Sequence, residues 1–147
     1  MLIKGTYLVV ADKEHCYQSL QNPSILESCM PGCQELIKIG EAEYEMKMKM
    51  MLASMSALFN GKVKISDQCF PNSFRLIVEG IGKVGFLKGD GLLELTTQGP
   101  ETLIDYTGEV QVGGTISSVG NRLLDTTSRM LIKRFFSKFS AILQKPS

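Results

Sequence analysis

Three glycines spaced as in a phosphate-binding loop are the first chemically suggestive feature of the chain. Gly80-Ile-Gly82-Lys-Val-Gly85 matches the dinucleotide-binding fingerprint, and Asp105 follows 20 residues after Gly85. That fingerprint binds a pyrophosphate only where a helix begins directly after it, because the helix N-terminus supplies the amide donors. Here Phe86 to Gly91 contains two further glycines and leads into a strand. We therefore predict no cofactor, and a flexible inter-strand loop that exposes Val84 and Phe86.

Soft metal ligands are the second suggestive feature. Cys29-Met-Pro-Gly-Cys33 and the upstream pair His15-Cys16 offer up to four of them. Structural zinc sites usually pair two-residue cysteine gaps with a second unit of the same kind, and this chain has neither. We predict no metal, and small buried thiols around a tight turn. His15 is the only histidine, and its place beside Glu14 predicts a solvated helix residue, so no catalytic residue is evident.

The charges are divided unevenly, although the net charge is only +1. Residues 1–113 carry 10 Lys and Arg against 14 Asp and Glu, and residues 114–147 carry 6 against 1. Arg122, Arg129 and Lys133 recur at intervals of seven and four, which places them on one helix face. That face is either an ordinary solvated surface or a docking site for anionic lipid or an acidic protein. A near-neutral chain predicts no nucleic-acid binding.

Two short helices and a sheet must position these residues. Residues 2–10 predict a first strand, Asp12 caps a helix to about Leu20, and Pro23 begins a second helix through Cys29. After the Pro31-Gly32 turn, apolar and polar residues alternate, which predicts an antiparallel sheet with one dry face. The clearest strands are predicted at 42–50, 61–68, 74–79, 89–97 and 102–112.

One long helix is predicted to close the chain. After Gly113-Gly114 the apolar period changes from two to 3.6, and no Gly or Pro interrupts it between Gly120 and Pro146. A helix of about 25 residues is therefore predicted to end near Lys145-Pro146. A one-sided sheet must be covered, and only this helix is large enough. The sequence predicts one α+β domain over residues 1–147, a curved antiparallel sheet wrapped around the C-terminal helix.

A bent sheet around a single helix leaves an apolar space, and the dry faces define its predicted lining. Core packing is the alternative for its methionine stripe, since methionine suits both an irregular core and an adaptable pocket. The predicted lining is Tyr44, Met46, Met48, Met50, Val63, Ile65, Phe74, Leu76, Val78, Leu93, Leu95, Ile104, Tyr106, Leu123, Thr127 and Leu131. Two loops form the predicted cavity mouth, with Cys29, Pro31, Gly32, Cys33, Gly82, Val84, Gly85 and Phe86.

Several of these motifs also resemble a known family. Asn22-Pro-Ser-Ile-Leu-Glu-Ser-Cys-Met-Pro-Gly-Cys33 resembles a segment of the CoxG family, which belongs to aerobic carbon monoxide dehydrogenase. The similarity continues in order through Gly61-Lys62-Val63, Gly80 to Gly89, Thr102 and Tyr106, Val112-Gly-Gly114 and Phe135-Phe136. The resemblance implies the START-like helix-grip fold of the polyketide cyclase superfamily. It also implies a non-catalytic role beside a molybdenum hydroxylase such as carbon monoxide dehydrogenase, in membrane attachment or in handling a lipid-like or quinone-like molecule.

Three classes of function are compatible with these observations. The first is a binding module for an apolar small molecule, cytoplasmic or at the inner face of the membrane, and the chain shows no signal peptide. The second is an enzyme of the same fold, such as a polyketide cyclase or a small hydrolase, which would place titratable groups in its cavity. The third is an assembly factor whose pocket is filled. The predicted dry faces contain Tyr106 and little else that is polar, which favours the binding module.

Overall fold

A seven-stranded antiparallel sheet and a long C-terminal helix make up the architecture, which the computed structural model describes for residues 1–52 and 55–144. In chain order the elements are β1 (Leu2–Val9), α1 (Lys13–Ser19), α2 (Pro23–Cys29), β2 (Cys33–Gly40), β3 (Glu43–Leu52), β4 (Met55–Cys69), β5 (Ser73–Gly82), β6 (Gly85–Gln98), β7 (Glu101–Gly113), a 3-10 helix (Gly114–Val119) and α3 (Asn121–Gln144). The predicted α+β class, with a curved sheet and a terminal helix, is confirmed.

The sheet is a meander that the first strand closes from the far side. Its strand order is β1-β7-β6-β5-β4-β3-β2, so every neighbour from β2 to β7 is also the next strand in sequence. β1 instead pairs antiparallel with β7. The Thr102 hydroxyl donates to the Ala11 carbonyl at 2.8 Å and fixes the exit of β1, while the Met1 amino group donates to the Val110 carbonyl at 2.8 Å at its entry.

The two short helices begin where their capping residues predict. An Asp12 side-chain oxygen accepts from the His15 amide at 2.7 Å, and the Asn22 side chain accepts from the Ser24 amide at 3.0 Å. Each cap satisfies backbone donors that the first helical turn leaves free. Pro23 occupies the first turn of α2, where its missing N–H costs nothing. His15 is exposed on α1.

The glycine-rich segment is a tight hairpin, so the predicted flexible loop is wrong. β5 runs to Gly82 and β6 begins at Gly85, which leaves only Lys83 and Val84 between paired strands. Gly85 has a φ of +135°, and a Cβ atom there would collide with the Gly113 carbonyl. The glycines therefore allow β5, β6 and β7 to approach one another closely. The strand that follows Gly85 provides no helix N-terminus for a pyrophosphate.

The long helix has the predicted length, but its phase differs from the prediction. A 3-10 turn spans Gly114–Val119, Gly120 takes a φ of +95°, and only then does the 24-residue α3 begin. Leu124 is buried as a result, whereas Leu123, predicted to line the cavity, is 38% exposed. The period extrapolated from Ile116 fails because the break at Gly120 resets the helical phase. The predicted end at Lys145-Pro146 lies outside the described residues.

Candidate functional site

Aromatic side chains hold α3 on the concave face of the sheet. The Phe136 ring lies between Tyr7 and Tyr106, with ring centroids 5.3 Å and 5.6 Å away and planes within 21° of parallel. Phe139 is fully buried beside it. Since α3 packs mainly against α2, β1 and β3, it bridges the two sides of the sheet above the central strands. The sequence analysis did not select Phe136, although an adjacent phenylalanine pair on an amphipathic helix signals that at least one ring is buried.

The predicted lining residues divide into two groups by burial. All of the strand residues among them lie on the concave face, while Lys47 and Lys49, with the opposite parity, are exposed on the convex face. Those buried in the core are Tyr44, Met46, Val63, Ile65, Phe74, Leu95 and Ile104. Those only half-buried are Met48, Met50, Leu76, Val78, Leu93, Tyr106, Thr127 and Leu131. Inward-facing apolar side chains that still meet solvent indicate that the helix does not fill the concave face.

Glycines form the floor of the incompletely filled region. Gly91 pairs with Gly108, and Gly89 pairs with Val110, all on the concave parity of β6 and β7. A Cβ atom on Gly91 would meet only the Thr107 carbonyl oxygen at 3.5 Å and the Gly108 Cα at 3.9 Å. These are ordinary contacts with the sheet itself, so no side chain of α3 covers this position. The sequence analysis missed this glycine floor, although the glycines share the parity of Leu93 and Leu95.

Tyr106 marks the border between the filled and the open parts of the face. Its ring stacks on Phe136 on one side, and its hydroxyl lies over Gly5 of β1, where a Cβ atom would collide with it. Leu93 is its direct cross-strand neighbour. Tyr106 is thus a half-buried phenol at the edge of an apolar, glycine-floored space.

The Cys29–Cys33 turn lines a polar surface pocket instead of an apolar cavity mouth. The pocket measures about 460 Å³ and is bordered by Arg134 and Lys138 of α3. Gly32, at a φ of +79°, lies against the Lys49 carbonyl, and its own carbonyl accepts from the Lys49 amide at 2.9 Å. Burial raises the pKa of the Cys29 thiol, which the Lys138 ammonium partly opposes. The two predicted mouth segments do not share one opening.

The other predicted mouth segment lies at the opposite flank of the concave face. Phe86 borders a separate pocket of about 370 Å³ with Asn121 and Leu124 of α3. Its ring covers Gly113, and the Val84 carbonyl accepts from the Ile116 amide at 2.8 Å, so both residues are fixed against the chain that leads into α3. Val84 packs in the smaller apolar cluster around Phe59 and is not at the tip of a mobile loop.

Few groups on the concave face can transfer protons. Burial raises the pKa of Tyr44, whose hydroxyl donates to the Gln21 carbonyl at 2.7 Å, so this phenol stays protonated. Within residues 1–52 and 55–144, no three His, Cys, Asp or Glu side chains are grouped as they would be around a metal ion. The face supports apolar contact and a hydrogen bond from Tyr106 better than acid–base chemistry.

The predicted docking residues lie on the solvent side of α3. Arg122, Arg129 and Lys133 are all exposed. Arg129 forms an ion pair with Asp125 at 3.0 Å, which reduces the positive charge of this face. None of the helices in the described part of the chain is both long enough and apolar enough to cross a membrane. The docking role of the three residues stays a prediction.

Comparison with known proteins agrees with this geometry. A conserved protein from Geobacillus kaustophilus is 28% identical and superposes with a TM-score of 0.92 over 97% of this chain and 95% of its own. A START superfamily protein from Mycobacterium smegmatis is 10% identical, with a TM-score of 0.73 over 97% of both chains. An aromatase/cyclase from Streptomyces sp. R1128 is 9% identical, with a TM-score of 0.72 over 98% of this chain and 93% of its own. No curated protein matches the sequence.

These neighbours confirm the START-like fold that the sequence resemblance implied. The family model of CoxG, a carbon monoxide dehydrogenase subunit, matches residues 5–144, which include the Cys29–Cys33 turn, the glycine floor and the aromatic contacts of α3. On this match, the chain belongs to the CoxG family of carbon monoxide dehydrogenase subunits.

Proposed function

We propose that the protein is a non-catalytic binding module that holds an apolar small molecule, of lipid or quinone type, between the sheet and α3. The glycine floor carries this proposal, because glycines at Gly89, Gly91 and Gly108 leave a broad inward surface without side chains. The half-buried Leu76, Val78 and other inward residues around it would lose their solvent contact when a ligand covers the floor.

The kind of ligand follows from the groups around that floor. Its walls are aliphatic side chains, and Tyr106 offers one hydroxyl at the border. A ligand with a large apolar body and one hydrogen-bonding oxygen matches this arrangement, because apolar area supplies affinity while a single polar group sets orientation. Quinones and single-chain lipids have this composition. A highly charged ligand would lose its hydration without gaining a partner.

A cyclase-like enzyme is the alternative that the fold allows, and the concave face argues against it. A cyclase must move protons on its substrate, which calls for acid and base groups within hydrogen-bond reach. Tyr44 is committed to the Gln21 carbonyl, and His15 is exposed on α1. Tyr106 is left as the phenol beside the open floor, and a lone phenol suits binding better than a two-group proton transfer.

The partner follows from family membership. We propose that the protein works beside a molybdenum hydroxylase of the carbon monoxide dehydrogenase type, at the inner face of the membrane. A carrier of quinone-like molecules fits such a partner, since an oxidative hydroxylase must pass electrons to an acceptor. Co-purification of the hydroxylase from the native cell with a tagged protein would test this; its absence from the eluate would leave ligand binding as the function.

Ligand binding is testable by filling the floor. In Gly91→Leu, the new side chain meets no crowding at its Cβ atom and occupies the space that we assign to the ligand. We expect affinity for a prenylated naphthoquinone or a fatty acid, measured by titration calorimetry and native mass spectrometry, to fall at least about tenfold, which corresponds to about 1.4 kcal/mol.

A matched control is available outside the concave face. Gly40 is exposed at the end of β2, and a Cβ atom there would meet only the Glu43 Cβ at 3.7 Å. Gly40→Leu therefore adds the same side chain without touching the floor and should bind like the wild type. Equal affinity in Gly91→Leu and the wild type, or no binding of either probe by the wild type, would contradict the proposal.

A further inference from the structure

Four large apolar side chains on the convex face of the sheet face solvent, on the side opposite to the ligand floor. Met51 is 60% exposed, Leu58 61%, Ile81 67% and Phe86 41%. Apolar residues scattered singly over a surface need no explanation, but a contiguous group marks an interaction site. We refer to these four residues as the convex patch.

The strand register makes the convex patch contiguous. Ile81 is directly opposite Phe86 in the β5–β6 pair. Ile81 is also opposite Asn60 in the β4–β5 pair, which puts Leu58 on the diagonal from Ile81. Met51 is opposite Ser56 and is therefore on the other diagonal from Leu58. Direct cross-strand neighbours are about 5 Å apart and diagonal ones about 7–8 Å, within reach of long side chains.

Lysines surround the convex patch. Lys49 is opposite Leu58, Lys83 is in the turn between Ile81 and Phe86, and Lys88 follows Phe86 on the same face. None of these three lysines takes part in an ion pair within the described residues.

Nearby acids do not cancel this charge. Glu79 is opposite both Lys62 and Lys88, and Glu35 is paired with Lys47 at 3.5 Å. Five lysines therefore meet two glutamates at this end of the face, a net charge of +3. This arrangement differs from the acidic balance of residues 1–113 as a whole, where 14 acids outnumber 10 bases.

We propose that the convex patch and its lysines Lys49, Lys83 and Lys88 dock the protein on an anionic lipid surface. The charge is complementary to anionic headgroups, and the long lysine stems keep their ammonium groups in water while the apolar tips enter the headgroup region. Four side chains bury far less than the roughly 800 Å² per partner of a stable protein interface. Shallow, reversible lipid contact needs only such a small apolar area together with a few cations.

Vesicle co-sedimentation tests the proposal with the intact chain. Vesicles of phosphatidylcholine alone are compared with vesicles containing about 30% phosphatidylglycerol, at about 0.1 M and about 1 M salt. We expect binding to the anionic vesicles only, weakened by salt. Lys49→Gln/Lys83→Gln/Lys88→Gln should lower partitioning by roughly a hundredfold, since each lysine near an anionic bilayer contributes about a fivefold factor. Ile81→Ser should lower it about tenfold.

The charge-matched control lies on α3. Arg122→Gln/Arg129→Gln/Lys133→Gln removes three charges from the helix face, and we expect its binding to change less than about threefold. A loss in this variant as large as in the lysine variant would overturn the proposal and assign docking to α3. Failure of the wild type to bind either vesicle would also overturn it, and would leave an acidic protein as the occupant. A dimer in sedimentation velocity that Ile81→Ser dissociates would instead make the convex patch a contact between two copies.

Discussion

Removing the ring of Phe136 tests how the long helix is held on the sheet. Phe136 is buried and stacked between Tyr7 and Tyr106, with Phe135 and Phe139 at right angles to it. Truncating a buried phenylalanine to alanine costs about 3–5 kcal/mol. Because the ring takes part in two stacked pairs, each of which adds about 0.5–1.5 kcal/mol beyond burial, we place Phe136→Ala in the upper half of that range, near 4 kcal/mol.

Urea unfolding followed by circular dichroism measures this cost. A domain of this size has an unfolding free energy of roughly 7–15 kcal/mol, so the variant should remain folded. With a slope of about 2 kcal/mol per molar urea, the midpoint should fall by about 2 M while the slope stays constant. Leu123→Ala, on the exposed side of the same helix, should change the free energy by less than about 0.5 kcal/mol.

A double-mutant cycle with Tyr7→Leu separates stacking from burial. The coupling free energy between Tyr7 and Phe136 should be about 0.5–1.5 kcal/mol, as expected for stacked rings 5.3 Å apart. A loss below about 1 kcal/mol in Phe136→Ala, or a coupling near zero, would refute the view that this ring seats α3 on β1 and β7.

Three further predictions concern thiols and glycines. Cys69 is exposed whereas Cys16 and Cys29 are buried, so Ellman's reagent should label one cysteine quickly, and Cys69→Ser should abolish that fast phase. Burial raises the pKa of the Cys16 and Cys29 thiols, so the stability they contribute is complete below about pH 8.5 and is lost as the pH rises through their folded pKa; chemical unfolding at pH 7 and pH 10 should show the fall, reduced in Cys16→Ala. Gly85→Ala should destabilise the fold by more than about 2 kcal/mol, because the methyl group meets the Gly113 carbonyl, whereas Gly99→Ala, at positive φ in open space, should cost about 1 kcal/mol; equal costs would show that crowding at Gly85 is unimportant.

Local signals in the sequence predicted most of the elements. The alternation around Met46 and Lys47 set the two faces of β3, and the Asn22-Pro23 pair marked the start of α2, because each depends only on neighbouring residues. The helix phase was not predictable in this way. It depends on how many residues the 3-10 turn and Gly120 take up before α3, and that length is set by packing against β6 and β7.

The candidate site was less accessible to sequence reasoning. Selecting large apolar residues found the walls of the concave face but overlooked Gly89 and Gly91, where the absence of a side chain is the feature that matters. The same habit hid the convex patch. Leu58 and Ile81 fall on the polar parity of their strands, an exception that a search for regular alternation discards. Burial and cross-strand register are needed to recognise both.

The pairing of the first strand with the last also shapes how the chain can fold during synthesis. The hairpins from β2 to β7 join consecutive strands and can form one after another as the ribosome releases them. β1 cannot: Ala11 meets Thr102 across 91 residues, and Met1 meets Val110 across 109. Until β7 emerges, β1 is an unpaired strand exposed to the cell's chaperones and to other nascent chains. Docking of α3 on β1 must come later still, so the ligand floor gains its roof only when synthesis is nearly finished.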